Sequence, residues 1–238
     1  MKNHIISCLM IFTTIATCAV SCKKKKNDNP FSNAKIYTVD LTQYGATEHS
    51  RIVYDSYNNV DSIITIGNGV YRFKKFVYFG TSYSVTDENN NVFTLLANSN
   101  GMILRVLLTD TLSMLYNGSQ LAELDYKSPS PNYPYYTTSS VSFTWTNGDV
   151  AIMGSQTYNY DLSRSGQPGD AIRIGQFLSY GRSYIKTNHL PTVLRNTASD
   201  TAEKYFYQFD SQGRINQLTK LINISTGAYD TTIYVYGY

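Results

Sequence analysis

The stretch "FDSQGRINQL", Phe209 to Leu218, decides how this chain is read, because three related ten-residue phrases stand elsewhere. They are "YDSYNNVDSI" (Tyr54 to Ile63), "TDENNNVFTL" (Thr86 to Leu95) and "ANSNGMILRV" (Ala97 to Val106). The second slot of each is Asp55, Asp87, Asn98 or Asp210. These residue types open a type I turn by bonding a side-chain oxygen to backbone two residues on. The fifth slot is Asn58, Asn90, Gly101 or Gly213, the types that best tolerate positive φ. A type I turn followed by one left-handed residue makes a three-residue hairpin loop with a bulge. The seventh and tenth slots are apolar, so each returning strand has side chains to bury.

Working outward, other turn signals recur at Gly67-Asn68-Gly69, Gly80-Thr81, Asn117-Gly118, Asn147-Gly148-Asp149 and Ser163 to Gly169. Such spacing is that of strands following one another by hairpins. Between the turns the chain alternates. "VSFTWT" sets Val141, Phe143 and Trp145 against Ser142, Thr144 and Thr146, and "TTIYVYGY" sets Ile233 and Val235 against Thr232, Tyr234, Tyr236 and Tyr238. No stretch after the leader carries an amphipathic helix of about 12 residues or more. The expectation is an all-β domain over residues 35–238, a curved antiparallel meander of about 10–14 strands, open or partly closed like a barrel.

The start, "MKNHIISCLMIFTTIATCAVSCKKKKNDNP", reads differently. Lys2 precedes an uncharged, mostly apolar run from Ile5 to Val20, shorter than a spanning helix and suited to a signal peptide over residues 1–21. The run ends in Ala19-Val20-Ser21-Cys22, which resembles the lipobox of bacterial lipoproteins, with Ala19 in place of the usual leucine. Cys22 is the expected lipidation site and Cys18 the alternative. The chain's three cysteines all lie in this leader, so cleavage before Cys22 leaves one sulfur and no intramolecular disulfide. Residues 22–34 read as a lipid anchor and polar tether.

Charge must be divided to be understood. The whole chain is formally +3, but Lys2 and Lys23 to Lys26 supply five of its 20 basic residues. From Asn27 onward 15 basic residues face 17 acidic ones, a net of −2, which argues against a nucleic-acid surface. The lysines beside the anchor suit anionic headgroups.

Lipobox, lysine-rich tether, aromatic-Asp-x-x-Gly-Arg-Ile hairpins and the segment "FLSYGRSYIKTNHLPTVLRN" together resemble small Bacteroidota lipoproteins with a domain of unknown function described as a porin-like β fold. The hairpin phrases are also similar to tyrosine-aspartate repeats, Phe209 to Ile215 carrying the full form. The resemblance implies a curved antiparallel sheet and brings no catalytic residues with it.

Chemistry-bearing motifs are sparse. "GTSYS" (Gly80 to Ser84) lacks the final glycine of a nucleophile elbow. Asp87, Asn89 and Asn91 imitate the start of a calcium loop, but Val92 stands where glycine is needed and Asn98 where the bidentate glutamate belongs. No metal, cofactor or catalytic residue is assigned. Asp161 and Asp170 are carboxylates at loop positions, read as solvated. Arg72, Lys74 and Lys75 fall on both faces of "YRFKKFVYF", which weighs against a lipid-facing strand. The 22 tyrosines and 10 phenylalanines are read first as cross-strand packing and second as a platform for a glycan or protein partner.

The favoured function is a lipid-anchored, non-catalytic envelope protein, placed at the outer membrane on its periplasmic face. Two alternatives stand beside it: a glycan-active enzyme or glycan-binding surface lipoprotein, and an outer-membrane barrel. Strands are expected around Ile172 to Tyr180 and Tyr205 to Phe209, bracketing a long connection, Gly181 to Asp200. Its Leu190, Val193 and Leu194 suit a plug over the sheet's open end, while Tyr184 and His189 are the candidate ligand contacts.

Overall fold

The structure is a computed structural model that describes residues 34–107, 111–129, 136–196, 200–225 and 228–238. The signal peptide, Cys22 and nearly all of the tether lie outside the described residues. The first eight strands are β1 (Thr38–Gln43), β2 (Ala46–Tyr54), β3 (Val60–Gly67), β4 (Val70–Phe79), β5 (Ser82–Asp87), β6 (Val92–Ala97), β7 (Ile103–Leu107) and β8 (Thr111–Asn117). Then come β9 (Gln120–Pro129), β10 (Tyr136–Thr146), β11 (Asp149–Met153) and β12 (Gln156–Ser165), followed by a helix, α1 (Arg173–Tyr180). The last four strands are β13 (His189–Arg195), β14 (Thr201–Phe209), β15 (Ile215–Ser225) and β16 (Ala228–Gly237).

All neighbours pair antiparallel, and β1 pairs with β16 from Thr38 opposite Gly237 to Gln43 opposite Thr232. The sheet is therefore a closed barrel. Three sequence expectations change. The strand number is 16 rather than about 10–14, with strands as short as β7 and β11 at five residues each. Closure leaves no open sheet edge. The segment expected as a strand around Ile172 to Tyr180 is α1, whose Ile174, Phe177 and Leu178 share one helical face and pack on the core.

The four phrases build one construction. In each, the fifth residue's N–H donates to the second residue's carbonyl: Asn58 to Asp55, Asn90 to Asp87, Gly101 to Asn98 and Gly213 to Asp210, at 2.9–3.1 Å. The side chain of that second residue accepts two further amides, as Asp210 Oδ1 does from Gln212 and Arg214 at 2.9 Å each. The fifth residues stand at φ 67°, 64°, 73° and 80°. Asp87 Oδ1 is occupied in this way by the amides of Asn89 and Asn91, so the calcium-like spelling is a hairpin turn.

Alternation sorts side chains into two faces. Val39, Ile52, Phe76, Tyr83, Leu95, Val106, Phe143, Leu218 and Tyr236 point inward and are buried. Strands run up and down, so both chain ends and every connection after an even-numbered strand lie at one end of the barrel, here called proximal. Connections after odd-numbered strands lie at the distal end. Because Gly213 holds a left-handed φ, Gly213→Val should destabilise the domain by roughly 1 to 3 kcal/mol in chemical denaturation, whereas Asn58→Gly should be neutral or mildly stabilising.

Candidate functional site

The connection from β12 to β13 enters the barrel instead of capping it. Its first turn is fixed to one wall: Gln167 accepts the Ile215 amide at 2.9 Å, and Tyr236 donates its hydroxyl to the Gly169 carbonyl at 2.8 Å. Asp170, wholly buried, then accepts the amides of Ile172 (3.1 Å) and Arg173 (2.9 Å) and pairs with the Arg173 guanidinium at 3.0 Å. This is the bonding of a helix N-cap, with the negative charge where the helix dipole favours it. Burial pushes the Asp170 carboxyl up, against the pull of Arg173 and of the amides it accepts.

Helix α1 crosses to the opposite wall. There Lys74 of β4 donates to the carbonyls of Leu178 (2.9 Å) and Ser179 (3.4 Å), satisfying last-turn oxygens that a helix leaves open. Tyr83 of β5 donates to the Tyr180 carbonyl at 2.7 Å. Gly181 closes the helix at φ 68°, and a Cβ there would lie 2.8 Å from the Phe76 ring. Arg182 then lies over the Tyr78 and Tyr83 rings and reaches Asn59 at 3.1 Å. The return path ends at the β10–β11 turn, where Asn188 donates to the Asn147 carbonyl at 2.8 Å.

Chambers remain beside this plug. One, of about 330 Å³, lies between α1 and the wall of β9 to β15 and is lined by Leu124, Phe143, Tyr158, Ile172, Tyr184 and Leu194, among others. Glu203 and Lys220, an ion pair at 2.8 Å, and Gln156 also line it. The Tyr205 hydroxyl donates to Glu203 at 2.6 Å. A smaller chamber of about 190 Å³ holds the Arg72–Glu48 ion pair and Lys74. Another hollow, of about 600 Å³, is bordered by Arg105, Ser113, Asp125 and Ser140, which are outward positions of β7 to β10. It is a dip in a solvated surface, so the chamber bounded by wall and plug is the better candidate.

The predicted contacts part company here. Tyr184 lines the larger chamber, and burial pushes its hydroxyl up to about 12. His189 instead begins β13 at the proximal end, its amide 2.8 Å and its Nδ1 2.6 Å from the carboxylate of buried Asp149. It ties the plug's exit to β11 and does not line the chamber. Leu190 and Leu194 are buried inward side chains of β13, so the plug itself is residues 166–188 rather than Gly181 to Asp200. Asp161 accepts from Ser163 near the proximal rim, while Asp170 is consumed by the helix cap. Arg72 and Lys74 turn inward, and outward Lys75 pairs with Asp61 at 2.6 Å. Tyr158, Glu203 and Lys220 lie on three different strands and meet only when β12 to β15 pair, so no local signal in the sequence marks them.

The fold has a solved counterpart. A porin-like protein from Bacteroides uniformis ATCC 8492 is similar at a TM-score of 0.59 and 13% identity, over 85% of this chain and 97% of that one. The fold is porin-like. A porin-like protein from Bacteroides vulgatus ATCC 8482 matches at a TM-score of 0.36 and 15% identity, over 85% of this chain and 98% of that one. No protein-family model matches the sequence, and no curated protein matches it.

Inward tyrosines give this interior an alkaline limit. Burial pushes Tyr78, Tyr116, Tyr158, Tyr184 and Tyr238 up to about 12. A folded-state value above the unfolded value of about 10 means stability that is whole below pH ~10 and lost as pH rises through ~12. The urea midpoint should accordingly hold steady between pH 7 and about 9 and fall steeply above about 10, together with a rise in tyrosinate absorbance. A midpoint unchanged at pH ~11 would contradict the burial of these hydroxyls.

Proposed function

We propose that this protein is a lipid-anchored barrel of the cell envelope that stands in water beside its membrane and has a non-catalytic binding role centred on its lumen. The polarity of the wall carries this reading. Membrane-spanning barrels turn an apolar band outward and keep a polar interior. Here the inward face carries the buried apolar and aromatic core, interrupted by the Arg72–Glu48 and Glu203–Lys220 ion pairs. The outward face mixes exposed apolar side chains such as Val77, Phe79, Leu115, Phe206 and Val235 with Thr42, Arg51, Ser84, Thr94, Arg105, Asp125, Ser140, Asn159, Lys204 and Thr219, spread around the circumference. An outward arginine or lysine at mid-bilayer depth costs about 2 to 4 kcal/mol, so this face is suited to solvent.

The lipobox-like Ala19 to Cys22 ends 12 residues before Ala34, where the described chain begins beside the plugged proximal end. Extended, 12 residues span up to about 40 Å. On this reading the plug faces the membrane and the distal mouth faces away from it. The larger chamber offers a single carboxylate, Glu203, already paired with Lys220, where glycoside hydrolysis calls for two. A binding role is the better fit to that lining.

Labelling cells with a fatty-acid analogue should mark the wild type and leave Cys22→Ser unmarked; label lost only from Cys18→Ser would move the anchor. Residues 27–238, produced without the leader, should be monodisperse in detergent-free buffer. Equal labelling of Cys22→Ser contradicts the anchor. Aggregation relieved only by detergent would favour a membrane-spanning barrel.

A further inference from the structure

Inward tyrosines divide into two groups. Nine give their hydroxyl proton to protein oxygens: Tyr54, Tyr78, Tyr83, Tyr116, Tyr160, Tyr205, Tyr207, Tyr236 and Tyr238. Four do not, Tyr158, Tyr180, Tyr184 and Tyr234, whose hydroxyls have no protein partner among the described residues; of these, Tyr158 and Tyr184 line the larger lumenal chamber. Both hydroxyls open on the chamber, and each can both donate and accept. In a barrel where nine inward hydroxyls bond to protein oxygens, two open ones on the same hollow mark a place for a polar ligand group.

The rest of the lining narrows the ligand. Phe143, Ile172 and Leu194 form apolar walls that would strip water from a hydrocarbon group. Towards the distal end stand Gln156, next to the β11–β12 turn, and the Glu203–Lys220 pair. A carboxylate placed there would face Glu203 and an ammonium would face Lys220, and either would compete with an existing ion pair. A neutral, hydroxyl-bearing group can bond to both partners and leave the pair intact. At about 330 Å³ the chamber is at the small end of ligand pockets, which run from about 300 to 1,000 Å³.

We propose that the chamber between α1 and the β9–β15 wall binds a small amphipathic molecule with a short apolar body and a neutral, hydroxyl-bearing head. The apolar body contacts Phe143, Ile172 and Leu194, and the head bonds to Tyr158, Tyr184 and the polar distal rim. This inference rests on the reading of the lumen as a non-catalytic binding site.

The test is isothermal titration calorimetry on the full chain carrying Cys22→Ser, so that no acyl group is attached. Three probes separate the parts of the ligand: hexyl β-glucoside, hexanoate and glucose. Hexyl glucoside should saturate one site at least about ten-fold more tightly than either of the others. Tyr158→Phe and Tyr184→Phe should each weaken it roughly 3- to 10-fold, the worth of one neutral hydrogen bond, with melting temperatures within about 2 °C of the parent. Ile172→Trp, which fills the chamber, should abolish binding; should that variant fail to fold, the two tyrosine variants decide. Hexanoate binding as tight as hexyl glucoside overturns the neutral head, and glucose binding as tight overturns the apolar body. Binding that survives Ile172→Trp, or that neither tyrosine variant weakens, overturns the location. No saturable binding of any probe overturns the proposal, while lipid labelling and detergent-free solubility stand or fall separately.

Discussion

A barrel of 16 strands encloses more space than its own inward side chains can fill, and the rest of this structure answers that constraint. In membrane barrels of this size the surplus is an aqueous channel. Here residues 166–188 turn into the lumen and span it, tied to β15 and β16 through Gln167 and Gly169 and to β4 and β5 through Leu178 to Gly181. Both ends of α1 have their polar groups met, by Asp170 at the start and Lys74 at the finish. An eight-residue helix is marginal alone, so its existence depends on that enclosure.

The plug also explains the abundance of tyrosine. A tyrosine fills volume like phenylalanine and still carries a hydroxyl that can reach a backbone carbonyl. Inside a closed sheet with an irregular segment crossing it, carbonyls outside the ladder need donors. Tyr83 serves Tyr180, Tyr236 serves Gly169 and Tyr207 serves Pro191. The chambers remain where this filling stops, and the unspent hydroxyls of Tyr158 and Tyr184 lie in one of them.

How much of this the sequence announces depends on whether the physics is local. Hairpin turns such as Asp210 to Arg214 are local: a carboxylate, a left-handed position and two amides within five residues. Their reading gave the fold class and the apolar inward face. Closure is not local, because it depends on β1 meeting β16 across nearly the whole chain. The helix was hidden by its length, since "RIGQFLSY" holds too few turns to distinguish a helical period from a strand. Glu203 and Lys220 are adjacent across strands only once β14 and β15 pair, and Tyr158 joins them through β13. A lone histidine in a long connection looks available in the sequence, whereas Asp149, forty residues away, bonds to His189 in the fold.

Native-state hydrogen exchange of the α1 amides tests the plugged lumen most directly. If the helix is held inside the closed barrel as described, the amides of Phe177 to Tyr180 exchange as slowly as those of β4 and β5, through opening of the whole domain. Exchange of those amides in the fast, locally opening regime, with the wall still protected, would contradict the account and leave the barrel with an unfilled lumen.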